Sequence, residues 1–524
     1  MNDFVKKSID LLTRRQTSII SAAYIIMATV ILSQIFGLIR NRLFVATFDT
    51  SQVGVYFAAS LLPDMLFQLT IAAAVSSAFI PVFSQYLVRG EEKTGHKVAS
   101  TLLALGLCLF VILSTLIMIF APLIVQIFNV GGNFPPSDMA LMANLMRIII
   151  IGQLLFIIGT FFTALLQSYN HFFIPGIAAA TYNLGIILGV LLFSQFLGIY
   201  SITAGVILGG LLFVLIQIPM AKRVGFSFIP TMSSIVMDGV KKIGHLMWPR
   251  TIAISIMQFG TVAVAAFISF LSDPGTKIVV YDFAKTLAFA PVALIGQTIA
   301  QAAFPVLSRE KERPEEFKTT FLTSFNHVLY LILPISVLIL ILRIPLVRLV
   351  YGAENFDWAA TVLTGQTLAF FCLSIFAQAL ILLVLRAFYA LHDTKTPLIL
   401  NSISTALLLV TTYLFIIHLH FDVTSLAIAF TISSTIQLVI LFILLERKVG
   451  RFQRWPLLVS WSKILVSSIF TAFALYIPIK LLDQLVFDTT RTINLLALAG
   501  ISSLIGLSIY LFLTWFFDVK EAKT

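Results

Sequence analysis

The sequence predicts an all-α, polytopic membrane protein of about fourteen transmembrane helices, built as two six-helix lobes in parallel repeat plus two C-terminal helices. Three observations carry this. The 524 residues are 59% hydrophobic and only 11% charged, more apolar surface than a soluble chain of this size can hide. The apolar runs reach the ~20 residues needed to cross a bilayer and are separated by short charged loops. Two landmarks also recur at nearly one offset. Ser77 to Ser84 (SAFIPVFS) returns as Gln301 to Ser308 (QAAFPVLS), with its prolines 224 residues apart (305 − 81 = 224). Tyr169 to Pro175 (YNHFFIP) returns as Tyr389 to Pro397 (YALHDTKTP), with prolines 222 apart (397 − 175 = 222).

In chain order the spans are expected near residues 18–39, 53–83, 98–128, 139–169, 173–197, 200–220, 246–272, 278–307, 320–350, 359–390, 396–418, 423–445, 457–482 and 492–517. Those longer than the bilayer requires are expected to tilt or project. The 47 Phe suit a lipid-facing surface. The formal charge of +11 belongs to the loops and gives no reason to expect nucleic acid. With the N-terminus in the cytoplasm, the inner loops hold Lys6, Lys7, Arg14, Arg15, Arg89, Lys93, Lys97, Lys222, Arg223, Lys241, Lys242, Arg309, Lys311, Arg313, Lys318, Arg386, Lys395, Arg447, Lys448, Arg451, Arg454, Lys520 and Lys523. The outer loops hold only Arg40, Arg42, Lys277, Arg343, Arg348, Lys480 and Arg491. That asymmetry predicts an even number of spans with both termini inside.

The repeat divides the chain into an N-lobe of helices one to six (1–225), a C-lobe of helices seven to twelve (226–450), and helices thirteen and fourteen (451–524). Six is even, so both lobes start from the same side and their axis lies along the membrane normal. Two such bundles outline a transporter with a central path. The start of the chain lacks the short apolar core and small-residue cleavage site of a signal peptide, so the first span is expected to be retained. No loop is long enough for a soluble domain and no Walker loop occurs, which argues against a self-contained ATPase. Cys108 and Cys372 lie in apolar runs and read as buried small hydrophobes. The seven His show no metal spacing. No acids or His gather at one depth as a membrane-embedded enzyme requires. No enzyme activity, metal or cofactor is expected.

Ionisable residues within spans are costly and mark function or a special setting. Arg40, Asn41 and Arg42 are expected to end helix one at the outer boundary, where snorkelling and function are both open readings. Asp64 follows Pro63 in helix two, either capping a broken helix or occupying a cavity. Arg147 lies toward the outer end of helix four with the same two readings as Arg40. Lys285 falls in the first third of helix eight, after Tyr281 and Asp282 and before Pro291. An i, i+3 pairing with Asp282 would reduce its cost; a cavity-facing cation is the alternative. Uncharged residues such as Gln34, Gln68, Gln153, Gln297 and Gln378 read as interhelical hydrogen-bonding groups.

These landmarks also carry a family resemblance. Gly37 to Leu43 (GLIRNRL) with Ala46-Thr47-Phe48, Ser77 to Ser84, Gln301 to Arg309 (QAAFPVLSR), Pro345 to Phe356 (PLVRLVYGAENF), Gln167 to Pro175 (QSYNHFFIP) and, most specifically, Arg386 to Pro397 (RAFYALHDTKTP) resemble the MurJ/MviN family of lipid II flippases. That family lies within the multidrug/oligosaccharidyl-lipid/polysaccharide exporter superfamily. The resemblance runs from about residue 15 to the end and includes the two extra C-terminal helices. It implies a V-shaped two-lobe transporter of the bacterial inner membrane. A cationic cavity would receive the pyrophosphate and sugars of lipid II, and a groove along the extra helices its polyprenyl tail. Arginine suits pyrophosphate because its fork makes paired charge-assisted hydrogen bonds. Arg40 matches the family's cavity arginine at the end of helix one, and Arg147 a recurrent helix-four arginine. Elsewhere the chain departs from the pattern. Gln34 stands for an arginine, Asn41 and Gly54 for acids, Phe67-Gln68 for Arg-Arg, Ala72-Ala73 for Glu-Gly, and Thr286 for a helix-eight arginine with Lys285 beside it.

The expected function is therefore transfer of lipid II, or a related polyprenyl-pyrophosphate lipid, from inner to outer leaflet by alternating access. The candidate substrate-binding residues are Arg40, Asn41, Arg42, Arg147, Asp282 and Lys285. Membrane lipids and cell-wall synthesis proteins are the other expected partners. The alternatives are an exporter of another lipid-linked glycan or of drugs, and a non-transporting cell-wall scaffold. Retained cavity cations favour an anionic lipid over the scaffold.

Overall fold

A computed structural model describes the backbone of residues 19–72, 78–452, 454–485 and 492–523. Lys6, Lys7, Arg14, Arg15, Ala73, Ser77 and Arg491 lie outside these residues. Among the described residues every regular element is helical, and thirteen helices are long and apolar enough to cross a membrane. Trp358–Cys372 and Ile375–Ala390, bent by 43° at their junction, supply a fourteenth span if the pair is one broken crossing. Helical spans leave no backbone group unpaired in lipid. Side-chain hydroxyls follow the same rule by bonding the carbonyl four residues back, as Thr70 does to Leu66 and Ser336 to Ile332, each at 2.8 Å.

By packing, the chain forms two compact units, residues 1–276 with 353–355, and residues 277–352 with 356–524. The first contains α1 (Ile19–Thr47), α2 (Thr50–Phe67), α3 (Ile80–Val88), α4 (Glu92–Phe128), α5 (Pro136–Ser168), α6 (Phe173–Leu197), α7 (Tyr200–Leu215), α8 (Ile218–Arg223) and α9 (Ser234–Ile268). Here α5 is the central post, packed against α2, α4 and α7, while α9 rests on α4 and α2. The division by packing thus keeps α9 with the helices before it, whereas the repeat in the sequence is a division by likeness.

The closest helix pair in this unit is α6 with α7. A Cβ added at Gly185 would collide with the backbone of Gly209, and one at Gly189 with that of Gly205. Glycine lets two backbones approach to this degree inside a membrane. Gln217 closes the base of α7 without exposure. Its amide donates to the Gly159 carbonyl at 3.0 Å and accepts from the Thr163 hydroxyl at 3.0 Å. Tyr169, one of the repeat landmarks, bonds the buried His96 ring at 2.8 Å, and Phe83 stacks on that ring.

The second unit contains α10 (Pro274–Pro291), counted here from Lys277, then α11 (Gln297–Arg309), α12 (Pro314–Ile341), α13 (Arg343–Tyr351), α14 (Trp358–Cys372), α15 (Ile375–Ala390), α16 (Lys395–Tyr413), α17 (Thr424–Val449), α18 (Arg454–Leu485) and α19 (Thr492–Phe516). The two C-terminal helices pair with each other, and α18 lies along α12. Trp461 Nε1 donates to Asn326 Oδ1 at 3.0 Å, and the Tyr510 hydroxyl to the Tyr330 carbonyl at 2.7 Å. Phe321, Phe325, Phe442 and Phe452 fill the space around Trp461.

Among the described residues π-helical turns stand at Gln68–Ala72 after α2, Val292–Gly296 after α10 and Leu414–His418 after α16. The first two start 224 residues apart (292 − 68 = 224), the offset that separates Pro81 from Pro305, so a π-helical turn precedes each of these prolines.

Contacts in the second unit also group the loop charges. Lys311 Nζ meets His392 Nε2 at 3.3 Å and Lys448 meets Asp393 at 2.7 Å. Elsewhere Lys277 meets Asp422 at 2.8 Å. Each pair joins residues that the loop count puts on one side of the membrane.

Two expectations need correction. Helix one does not end at residue 39; it continues to Thr47, so Arg40, Asn41 and Arg42 lie two turns inside it. Cys108 is exposed rather than buried, on a helix whose outward face also shows Leu109, Val111 and Ile112.

Candidate substrate-binding site

In the first unit α1, α2, α5 and α6 bring polar groups together within their spans. Arg40 is half-buried, and its fork is filled by neutral amides. Nε and Nη2 donate to Asn41 Oδ1 at 3.1 and 2.9 Å, and Nη1 donates to Asn183 Oδ1 on α6 at 2.9 Å. Asn183 in turn donates to the Ser33 carbonyl and hydroxyl at 3.2 and 3.3 Å. Asn41 and Asn183 are both buried, so this chain of bonds fixes the guanidinium against α6. The guanidinium carbon also lies 5.7 Å from the Phe44 ring centre. No carboxylate among the described residues lies within ion-pair distance of Arg40. Its amide partners orient the positive charge without cancelling it.

Asp64 is inside α2, not at a cap, and is exposed. Its carboxylate accepts from Gln153 Nε2 of α5 at 2.5 Å. Tyr56 and Tyr182 lie within the electrostatic reach of both Arg40 and Asp64, which places the four side chains in one neighbourhood. Arg42 is exposed two residues beyond Arg40. A two-residue step turns a helix by about 200°, so it faces away from Arg40. Arg147 is used as a tether. Nε donates to the Met118 carbonyl of α4 at 3.0 Å, and Nη1 to Asn144 Oδ1 at 3.2 Å.

In the second unit Lys285 is half-buried on α10. Its ammonium lies 5.8 Å from the Tyr281 ring centre, one turn earlier. Asp282, three residues before Lys285, interacts with it electrostatically. The ring and the acid both moderate the cost of the lysine's charge inside a span. Tyr281 is itself held edge-on by Phe371 at 5.4 Å.

Comparison with known proteins decides the family. A family model described as lipid II flippase MurJ matches residues 44–496. The chain belongs to the lipid II flippase MurJ family.

Curated MurJ relatives agree over nearly whole lengths. A probable lipid II flippase MurJ from Buchnera aphidicola subsp. Schizaphis graminum is 26% identical over 91% of this chain and 94% of its own. The lipid II flippase MurJ from Burkholderia cenocepacia is 25% identical over 85% of this chain and 86% of its own. Among solved structures, a lipid II flippase MurJ in an inward closed conformation superposes with a TM-score of 0.73 at 20% identity, covering 93% of this chain and 98% of that one. An inward-facing multidrug resistance MATE transporter of the MOP superfamily gives 0.65 at 13% identity, covering 80% and 94%. These likenesses establish a MurJ-type exporter fold.

The MurJ match takes in Asp64, Arg147, Asp282 and Lys285 and begins just after Arg40–Arg42. Two partners of Arg40's neighbourhood, Asn183 and Tyr182, were not singled out from sequence. The signal was present: Asn183 is the only amide in the apolar stretch of α6 before Gln195. A search for charges alone passes over it.

Proposed function

We propose that this MurJ-family protein moves lipid II, an undecaprenyl-pyrophosphate-linked cell-wall precursor, from the inner to the outer leaflet of the bacterial cytoplasmic membrane by alternating access. The observation that carries the reading is Arg40. It is an arginine within a span, oriented by neutral amides, with no carboxylate among the described residues at ion-pair distance. Such a group keeps its full charge for an anion, and its fork suits a pyrophosphate. Lys285 is the second cation of the reading, with Asn41, Arg42, Arg147 and Asp282 as supporting polar groups. The six-plus-six-plus-two organisation, with both termini cytoplasmic, is the frame in which these residues work. Membrane lipids surround the protein, and cell-wall synthesis proteins are its proposed neighbours. No covalent step belongs to this reading.

The test is complementation in a bacterium depleted of its own flippase, with lipid II accessibility read at the outer leaflet. Restored accessibility supports the reading. Normal membrane expression without restored accessibility refutes it and favours export of another lipid-linked glycan or drug, or a scaffold role. Native mass spectrometry of the purified protein provides a second readout through co-purified polyprenyl-pyrophosphate lipid.

A further inference from the structure

One face of α11, the last part of the Pro274–Arg309 span, has no role in the reading above. At about 100° of turn per residue, Gln297, Thr298, Gln301, Pro305, Ser308 and Arg309 share a sector of about 120°. All are exposed except Ser308, which is half-buried. Ala300, Ala303 and Leu307 bury the opposite side. The rest of the exposed surface is apolar and comes from Ala302 and Val306. A polar side chain facing hydrocarbon is costly, so polar groups in a span face a water-filled cavity or a partner. The division on α11 puts water against the first sector and lipid against the second.

The amides of this sector are open. Elsewhere in the second unit, Gln378 donates to Ser434 Oγ at 2.8 Å and Gln437 to Asn401 Oδ1 at 2.6 Å, the interhelical use expected of amides in spans. Gln297 and Gln301 differ. Among the described residues their side chains make no hydrogen bond. They stand one turn apart, about 6 Å along the axis. Thr298 and Ser308 donate to the carbonyls of Leu294 and Phe304, at 2.6 and 2.8 Å, which leaves their oxygens able to accept.

Arg386 borders the sector. The loop count groups it with the inner cations, yet it lies within α15, one turn before Ala390, as the only charged residue of that helix. Helices α11 and α15 pack together, with Ala379 close against Gly296. Further along, the Arg386 guanidinium carbon lies 5.6 Å from the centre of the Phe304 ring. No carboxylate among the described residues lies within ion-pair distance of Arg386. A guanidinium held against a ring keeps a planar fork of N–H donors for oxygen acceptors.

We propose that Gln297, Thr298, Gln301 and Arg386 form a carbohydrate subsite on the second unit that holds the glycan of the lipid-linked substrate. The proposal rests on the flippase reading and deepens it. Amides and hydroxyls both donate and accept, as sugar hydroxyls do, and such pairs leave no charge to neutralise. The fork of Arg386 spans two neighbouring hydroxyl oxygens. A phosphate would instead call for several cations and charge-assisted bonds, and it is left to the cations named above. A site built to hydrogen-bond hydroxyls rejects a ligand that lacks them, so this subsite sets which polyprenyl lipid is carried.

The experiment titrates full-length protein in lipid nanodiscs with two probes, lipid II and undecaprenyl pyrophosphate, which has no sugar. Wild type should bind lipid II more tightly. The double variant Gln297→Leu, Gln301→Leu should lose roughly 5- to 150-fold in affinity for lipid II, as expected for two neutral hydrogen bonds, and bind undecaprenyl pyrophosphate as before. Arg386→Gln should show the same selective loss. Equal loss for both probes, or undiminished binding of lipid II, overturns the subsite. Wild type that binds the two probes equally also overturns it while the flippase reading stands. Wild type that binds neither overturns that reading and the subsite with it. A second measurement does not depend on how the leucine variants fold. Gln301→Cys and Val306→Cys are treated with a water-soluble maleimide and read by peptide mass spectrometry. Position 301 should react, and lipid II but not undecaprenyl pyrophosphate should protect it. Position 301 reacting no faster than position 306, or unprotected by lipid II, overturns the proposal.

Discussion

Arg40 and Asn183 join two helices of the first unit: Nη1 of the arginine donates to Oδ1 of the asparagine at 2.9 Å. The acceptor is neutral, so the bond sets direction and leaves the charge available. Replacing Arg40 with Ala removes that charge. Loss of one charge-assisted contact costs about 1.5–3 kcal/mol, or roughly 10- to 150-fold in affinity. Arg40→Ala should therefore fold normally and fail in the complementation assay. Asn183→Asp keeps the bond but neutralises the guanidinium, and should also fail. If Asn183→Asp transports lipid II like wild type, the charge of Arg40 is not what the substrate uses.

Lys285 tests the second cation. Lys285→Ala should weaken transport, and Lys285→Arg should sustain it, because guanidinium keeps both the charge and the contact with Tyr281. The comparison is made at equal membrane expression. Full activity of Lys285→Ala would leave this lysine as a residue balanced by Asp282 and Tyr281 with no part in binding.

The loop pair Asp393–Lys448 gives a pH dependence. Burial alone would raise the Asp393 carboxyl. The hydrogen bond from Lys448, the N–H and hydroxyl bonds from Thr396 and the lysine charge outweigh it and hold the carboxyl at about 2. A depressed acid contributes stability that is present above its unfolded value of about 3.9 and is lost as pH falls toward 2. Asp393→Asn should thus lower the melting temperature at neutral pH, by the equivalent of about 1 kcal/mol given the exposed lysine. The deficit should vanish in acid. A deficit that persists unchanged at pH 2 would assign it to the Thr396 bonds alone.

The glycine contacts predict two opposite results from one kind of substitution. Gly185→Ala drives a methyl group into Gly209 and should cost about 1–3 kcal/mol. At Gly37 and Gly500 an added Cβ meets nothing within 4 Å. Gly37→Ala and Gly500→Ala should be neutral or stabilising by up to about 1 kcal/mol. Thermal melts of the purified variants read both. Equal melting of Gly185→Ala and wild type would mean that α6 and α7 can separate freely.

Orientation is checked by labelling. Cysteines introduced near Lys93 and Lys311 should react with a membrane-impermeant reagent only from the cytoplasmic side, and one near Asp422 only from outside. Outward labelling at position 311 would overturn the count of basic loops.

The spans were legible because membrane crossing is a matter of composition over about 20 residues. The end of helix one was not, because Arg40, Asn41 and Arg42 look like an interface. The following Leu43, Phe44 and Val45 instead bury a further turn, with Phe44 and Val45 fully covered, and the true break comes at Asp49, which caps α2 through the Ser51 N–H. Arg40 and Lys285 stood out as charges in apolar runs. The partner that aims Arg40 did not, since Asn183 is uncharged and lies far away in sequence. That Gln297 and Gln301 stay open while Gln378 finds Ser434 was also invisible, because whether an amide is satisfied depends on geometry alone.

The π-helical turn at Val292–Gly296 runs directly into Gln297–Arg309 and re-aims the span that carries it. It accommodates an extra residue in the winding, and one residue corresponds to about 100° of rotation. Residues 274–291 and 297–309 therefore belong on two separate helical wheels, offset by that angle. A single wheel drawn through residues 274–309 would assign one of the two stretches to the wrong side. A one-residue deletion within the turn would re-aim every side chain of one stretch while leaving hydropathy, span length and loop charges almost untouched.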